Sequence, residues 1–134
     1  MSADAQPAGG FAERIAAVEE AYEFMLAYAS QGHRRGAEGG EVRDFLKRAD
    51  AALDGIGAAA IAAAKTAASD TSVFAPFVAT LDDDARKARA GIKLAIAQRA
   101  IGSQLVDNLN ASIHLRALLT DLFLVDEAIA SMRE

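Results

Sequence analysis

The chain contains no cysteine and no tryptophan, only two prolines, and only two histidines, His33 and His114. Lack of cysteine removes disulfides, a thiol nucleophile, iron–sulfur clusters and thiolate zinc sites together. Two widely separated histidines rule out the usual His-rich zinc spacings. A di-metal centre in a helical bundle uses Glu-x-x-His motifs. Here Asn110 and Ala111, not glutamate, lie four and three positions before His114. No c-type haem motif, nucleophile elbow or P-loop occurs either. The motifs therefore nominate no catalytic residue, no metal ligand and no cofactor.

Long hydrophobic runs and basic tracts are also missing. The longest charge-free run, Thr71–Leu81, is far short of the roughly 20 residues that span a bilayer as a helix. Acidic residues outnumber basic ones, 19 to 14, for a net charge of −5. The basic clusters are short: His33, Arg34 and Arg35 in one, Arg86, Lys87 and Arg89 in the other. The second directly follows Asp82, Asp83 and Asp84. Duplex nucleic acid demands clustered cations, so no nucleic-acid partner is expected. The opening MSADAQPAGG has neither a basic lead nor an apolar segment. A cytoplasmic location and a frayed tail over residues 1–10 are the expectation.

What is present is helix-forming. Hydrophobic residues make up 52% of the chain and alanine dominates them, while no alternating strand pattern occurs. Phe11, Ile15, Val18, Tyr22, Met25 and Ala29 recur at helical spacing across 11–30. After a glycine-rich linker, Val42, Phe45, Ala49, Ala52, Ile56, Ala59 and Ala63 mark a second helix over 41–69, with Gly55 and Gly57 signalling a bend or close crossing. A third helix is expected over 72–101, capped by Ser72, with Asp82–Arg86 and Asp83–Lys87 pairs along its surface. The fourth, 103–132, begins after Gly102; a turn at 107–110 with Ser112 as cap is the alternative. The fold class is all-α: an antiparallel up-down-up-down four-helix bundle forming a single domain over 11–134.

Gly55-Ile-Gly57-Ala-Ala-Ala60 matches the G-x-G-x-x-A dinucleotide pattern. That motif needs a preceding strand, and a helical pattern precedes it here.

The fourth helix is the most informative segment. Ala111, Leu115, Leu118, Leu119, Leu122, Val125 and Ile129 form a strong apolar arc. Val106, Ile113, Ala117 and Leu124 form a second, weaker strip. Two arcs on one helix suggest a surface that meets another chain, so these four residues are the interface candidates. Tyr22, Met25, His114 and Asp121 are candidates for lining a ligand pocket. Met25 and His114 could ligate a b-type haem if they lay at one height. Ser112-Ile-His114-Leu-Arg116-Ala-Leu resembles the His-x-Leu-Lys-Gly neighbourhood of histidine phosphotransfer domains, which are acidic four-helix bundles. The resemblance implies a phosphoacceptor at His114 with Arg116 as its cation. Leu115 and Arg116 come one position early, and no glycine follows. The leading expectation is a non-enzymatic protein acting by association, as a homo-oligomer, preferably a homodimer, or with a protein partner.

Overall fold

The computed structural model describes residues 9–32 and 40–133; among them are six α-helices and no strand. These are α1 (Phe11–Ser30), α2 (Gly40–Leu53), α3 (Ile56–Ala67), α4 (Phe74–Ile96), α5 (Ser103–Ala111) and α6 (Ile113–Arg133). The all-α expectation holds. Four continuous helices do not occur, because the second and fourth expected segments are each broken in two.

The first break is at Asp54–Gly55. Gly55 takes φ 76° and ψ 22°, the left-handed region that costs other residues roughly 1–2 kcal/mol. Two side chains from neighbouring helices hold the break. Arg14 of α1 donates to the carbonyl of Ala52 at 3.0 Å and to that of Asp54, satisfying acceptors left free where α2 ends. Asp82 of α4 accepts the Gly57 N–H at 2.9 Å, placing a carboxylate at the first turn of α3, where the helix dipole favours it. A Cβ on residue 57 would collide with that carboxylate. Gly55 thus serves conformation and Gly57 serves close approach.

The second break is a single residue. Ser112, at ψ 128°, leaves the helix, and its Oγ accepts the His114 N–H at 3.3 Å as the N-cap of α6. Gly102 precedes α5 as expected; of the alternative, Ser112 does cap, but residues 107–110 are helical within α5 and form no turn. Both signals in the sequence are used.

The α4 helix is shorter than the expected 72–101. Ser72 does not cap it; its N–H donates to Asp70 Oδ1 at 2.9 Å in a turn that ends just before the helix. That bond holds the Asp70 carboxyl below its ordinary range. At the other end, Arg43 of α2 donates to the carbonyls of Ile96 and Gln98. A cation there satisfies free acceptors and matches the negative end of the dipole.

One cluster of buried apolar side chains draws on all six helices. The α1 helix packs on α2 and α5; α4 packs on α6, α3 and α2. Arg89 of α4 reaches Asp50 of α2 at 2.8 Å, and its proton is held more tightly by that carboxylate. The Tyr28 hydroxyl donates to Ile101, and Ser103 Oγ donates to the Tyr28 carbonyl at 3.0 Å. These bonds fasten the end of α1 to the start of α5. Among the described residues, no helix is long and apolar enough to cross a membrane.

Candidate functional site

The residues nominated from the sequence scatter. Met25 is sealed in the core at 2% exposure, and Tyr22 packs half-buried against it. Tyr28 is buried, with burial raising its hydroxyl pKa. His114 and Arg116 face solvent in the first turns of α6. Met25 and His114 therefore lie in different environments, one in the closed core and one in water. The His33–Arg34–Arg35 cluster lies outside the described residues. No group of three or more histidine, aspartate or glutamate side chains is placed to hold a metal among the described residues.

The interface strip is rearranged by the break at Ser112. In one continuous helix Val106 and Ile113, seven residues apart, would lie nearly in line. Here Val106 is 0% exposed and Ile113 is 73% exposed. Val106 belongs to the core and cannot line a surface. Ile113, half-buried Ala117 and Leu124, at 54% exposure, remain on one outward line of α6.

The run Asp82-Asp83-Asp84 divides among three directions. Asp82 turns toward α3 and caps it, so the expected Asp82–Arg86 pair does not form. Asp83 instead takes both cations of its own helix, Arg86 at 2.8 Å and Lys87 at 3.1 Å, which hold its carboxyl below the usual range. Asp84 faces Asp121 of α6. Asp121 is buried, at 7% exposure, and its Oδ2 has no hydrogen-bond donor. Burial, with the neighbouring Asp84 carboxyl second, pushes the Asp121 pKa up to about 7. Two carboxylates offer each other only acceptors; a hydrogen bond between them requires that one carry a proton.

This carboxyl pair lies midway along the seam between α4 and α6. The helices run antiparallel, since Val73, Phe74 and Phe77 meet Leu124, Val125, Ala128 and Met132. Those seven residues line an apolar pocket of about 300 Å³ at one end of the seam. Val73, Leu124 and Met132 are exposed around it. Toward the other end, Leu94 and Ile113 are exposed apolar side chains on the same two helices. The face thus carries apolar groups at both ends and, between them, an acid pair in which Asp121 Oδ2 has no hydrogen-bond partner.

Of the residues on this face, Ile113, Ala117, Leu124 and Asp121 were named as candidates from the sequence, and Asp84, Val73, Phe77, Ala128 and Met132 were not. A signal for Asp84 existed: it follows Phe77 by seven residues, on the apolar line of α4, whereas Asp82 and Asp83 do not.

A second buried polar group sits elsewhere. Asn110, near the end of α5, is buried with neither amide atom hydrogen-bonded. The Gly55–Gly57 segment gives no dinucleotide geometry: a helix precedes it, and the Gly57 N–H already holds Asp82. Comparisons with protein-family models, curated proteins and solved structures returned no match.

Proposed function

We propose that this chain is a non-enzymatic cytoplasmic association module whose working surface is the outer face of α4 and α6. The six helices are read as a bundle of four antiparallel rods, α1, α2–α3, α4 and α5–α6. One observation carries the reading: a buried carboxyl group, one oxygen of which has no hydrogen-bond partner, is kept beside a second carboxyl in the middle of a seam with exposed apolar ends. Such a group destabilises the isolated chain, and natural sequences retain such groups where function uses them. Exposed apolar side chains at both ends of the same seam support contact with another polypeptide, either a copy of this chain or a different protein.

The test is site-specific photocrosslinking in the source cells. Benzoylphenylalanine placed at Leu124 should give discrete adducts of self or foreign mass. The same label at exposed Ala16 of α1 should give none. Absence of adducts at both positions removes the association reading.

His114 supports a second reading, phosphotransfer. Its imidazole is exposed at the N-terminal end of α6, where the dipole favours an attached phosphate, and Arg116 is exposed two residues on. Acid-labile phosphate transferred from a phosphorylated response regulator should then reside on His114. Label that persists in His114→Gln excludes it.

A further inference from the structure

We propose that the α4–α6 face receives an amphipathic α-helix of another protein, with a lysine or arginine between its apolar anchors, the cation seating on Asp84 beside Asp121. This rests on the association reading and adds the chemistry of the partner.

Charge selects the occupant. Asp121 lies eight residues from Ile113 and eleven from Met132, near the middle of the exposed strip of α6. A two-fold dimer through this strip would therefore set one acid pair near the other, and like charges brought together oppose association. Lys87, one turn from Asp84 on α4, is already paired with Asp83 at 3.1 Å. A foreign helix with one basic residue has no such conflict. It places a cation on the half-buried Asp84 beside buried Asp121 and covers the apolar ends.

Other groups do not supply that cation. Facing α6 from α4 is Asp84. The α3 helix offers one titratable side chain, Lys65, and α5 one, Asp107; both are exposed. On α6 itself His114, Arg116, Asp126, Glu127 and Arg133 are exposed. Of the pair, Asp84 is the half-buried member and Asp121 the buried one.

Spacing sets the register. At about 1.5 Å per residue, the apolar pocket and the Ile113 end each lie roughly 10 Å from the acid pair along α6. A helix laid along the seam meets these three points about every two turns. Its pattern is apolar, basic, apolar at seven-residue intervals.

The probes are three hydrocarbon-stapled helical peptides of about 20 residues with leucine anchors at that spacing. The central position is lysine, norleucine or glutamate. Affinity is measured by fluorescence anisotropy on the full chain at about pH 8 and pH 5.5. The lysine peptide should bind about tenfold more tightly than the norleucine peptide at pH 8, and the glutamate peptide most weakly. The lysine preference should shrink at pH 5.5, because protonation of Asp121 leaves the pair with one negative charge fewer. Asp84→Asn should remove the preference, and Asp121→Asn its pH dependence, while norleucine binding persists. Leu124→Glu should weaken all three peptides with unchanged circular dichroism.

Equal binding of lysine and norleucine at pH 8 overturns the proposal, as does failure of every peptide to bind. A dimer that forms on acidification and is lost in Leu124→Glu overturns it in favour of a second copy. Crosslinks at Leu124 without a lysine preference defeat this inference alone; no crosslinks at Leu124 defeat the association reading beneath it.

Discussion

Asp121 shows how one side chain can oppose the fold that buries it. Its ordinary pKa is 3.8, and in the folded chain it rises to about 7. Between those values the unfolded chain has released the proton and the folded chain still holds it. Stability therefore falls as pH rises through that window; the penalty is absent below it and complete above it. The upper bound is about 4 kcal/mol. Asp121→Asn keeps the shape, removes the charge and can donate to Asp84. We expect it to stabilise the protein by about 2 kcal/mol at neutral pH and by almost nothing near pH 4, read from urea unfolding midpoints. An equal gain at both pH values would show that ionisation of Asp121 is not the cause. Little of this was legible in the sequence. Three consecutive aspartates beside three cations read as surface pairs, and only Asp83 behaves so. Asp82 and Asp84 answer to the start of α3 and the flank of α6, which are set by tertiary packing and not by their own neighbours in the chain.

At the scale of elements, periodicity revealed which segments are helical and which faces are buried, because apolar spacing is a local property. Where helices break was partly legible. Gly55 and Gly57 announced a bend, and Ser112 a cap, yet helical spacing of apolar residues runs through both points and concealed that the chain is interrupted. The cost was the misplacement of Val106, since a one-residue break turns α5 relative to α6. The two glycines should respond differently to substitution. Gly55→Ala forces an alanine into the left-handed region with open space around it, for a loss of about 1–2 kcal/mol. Gly57→Ala gains about 1 kcal/mol of helix propensity but displaces the Asp82 cap, which is worth a similar amount. The net change should be small. A double-mutant cycle separates the terms: Asp82→Ala should cost about 1 kcal/mol alone and nothing further in the Gly57→Ala background. Additive losses would mean that Asp82 does not act through the first turn of α3. Ser112→Ala removes the N-cap of α6 and should lower stability by about 1 kcal/mol in the same assay.

At the scale of the molecule, a core cluster shared by all six helices explains the fold, and the α4–α6 face carries most of the large apolar side chains that core leaves exposed, with Leu26 of α1 and Phe123 of α6 exposed as well. The sequence signalled such a surface because α6 carries more apolar positions than one buried arc needs. It could not signal that Val73 and Leu94, at the two ends of α4, add to it, since their exposure is set by tertiary packing. A surface of this kind separates stability from function. Ile113 and Leu124 are exposed at 73% and 54%, so replacing either with aspartate removes little buried apolar area. Surface substitutions of this sort usually change stability by no more than about 0.5 kcal/mol. Association should respond far more, because a charge set into an apolar contact must be desolvated without a partner. Ile113→Asp and Leu124→Asp should therefore keep the circular dichroism spectrum and unfolding midpoint of the parent while losing complexed mass in native mass spectrometry of protein purified gently from its source. Leu118→Ala supplies the contrast: it sits at 0% exposure in the core and should cost about 2–5 kcal/mol. If both surface variants retain every partner while the core variant alone loses them, the face is a passive surface and the working site lies elsewhere on the bundle.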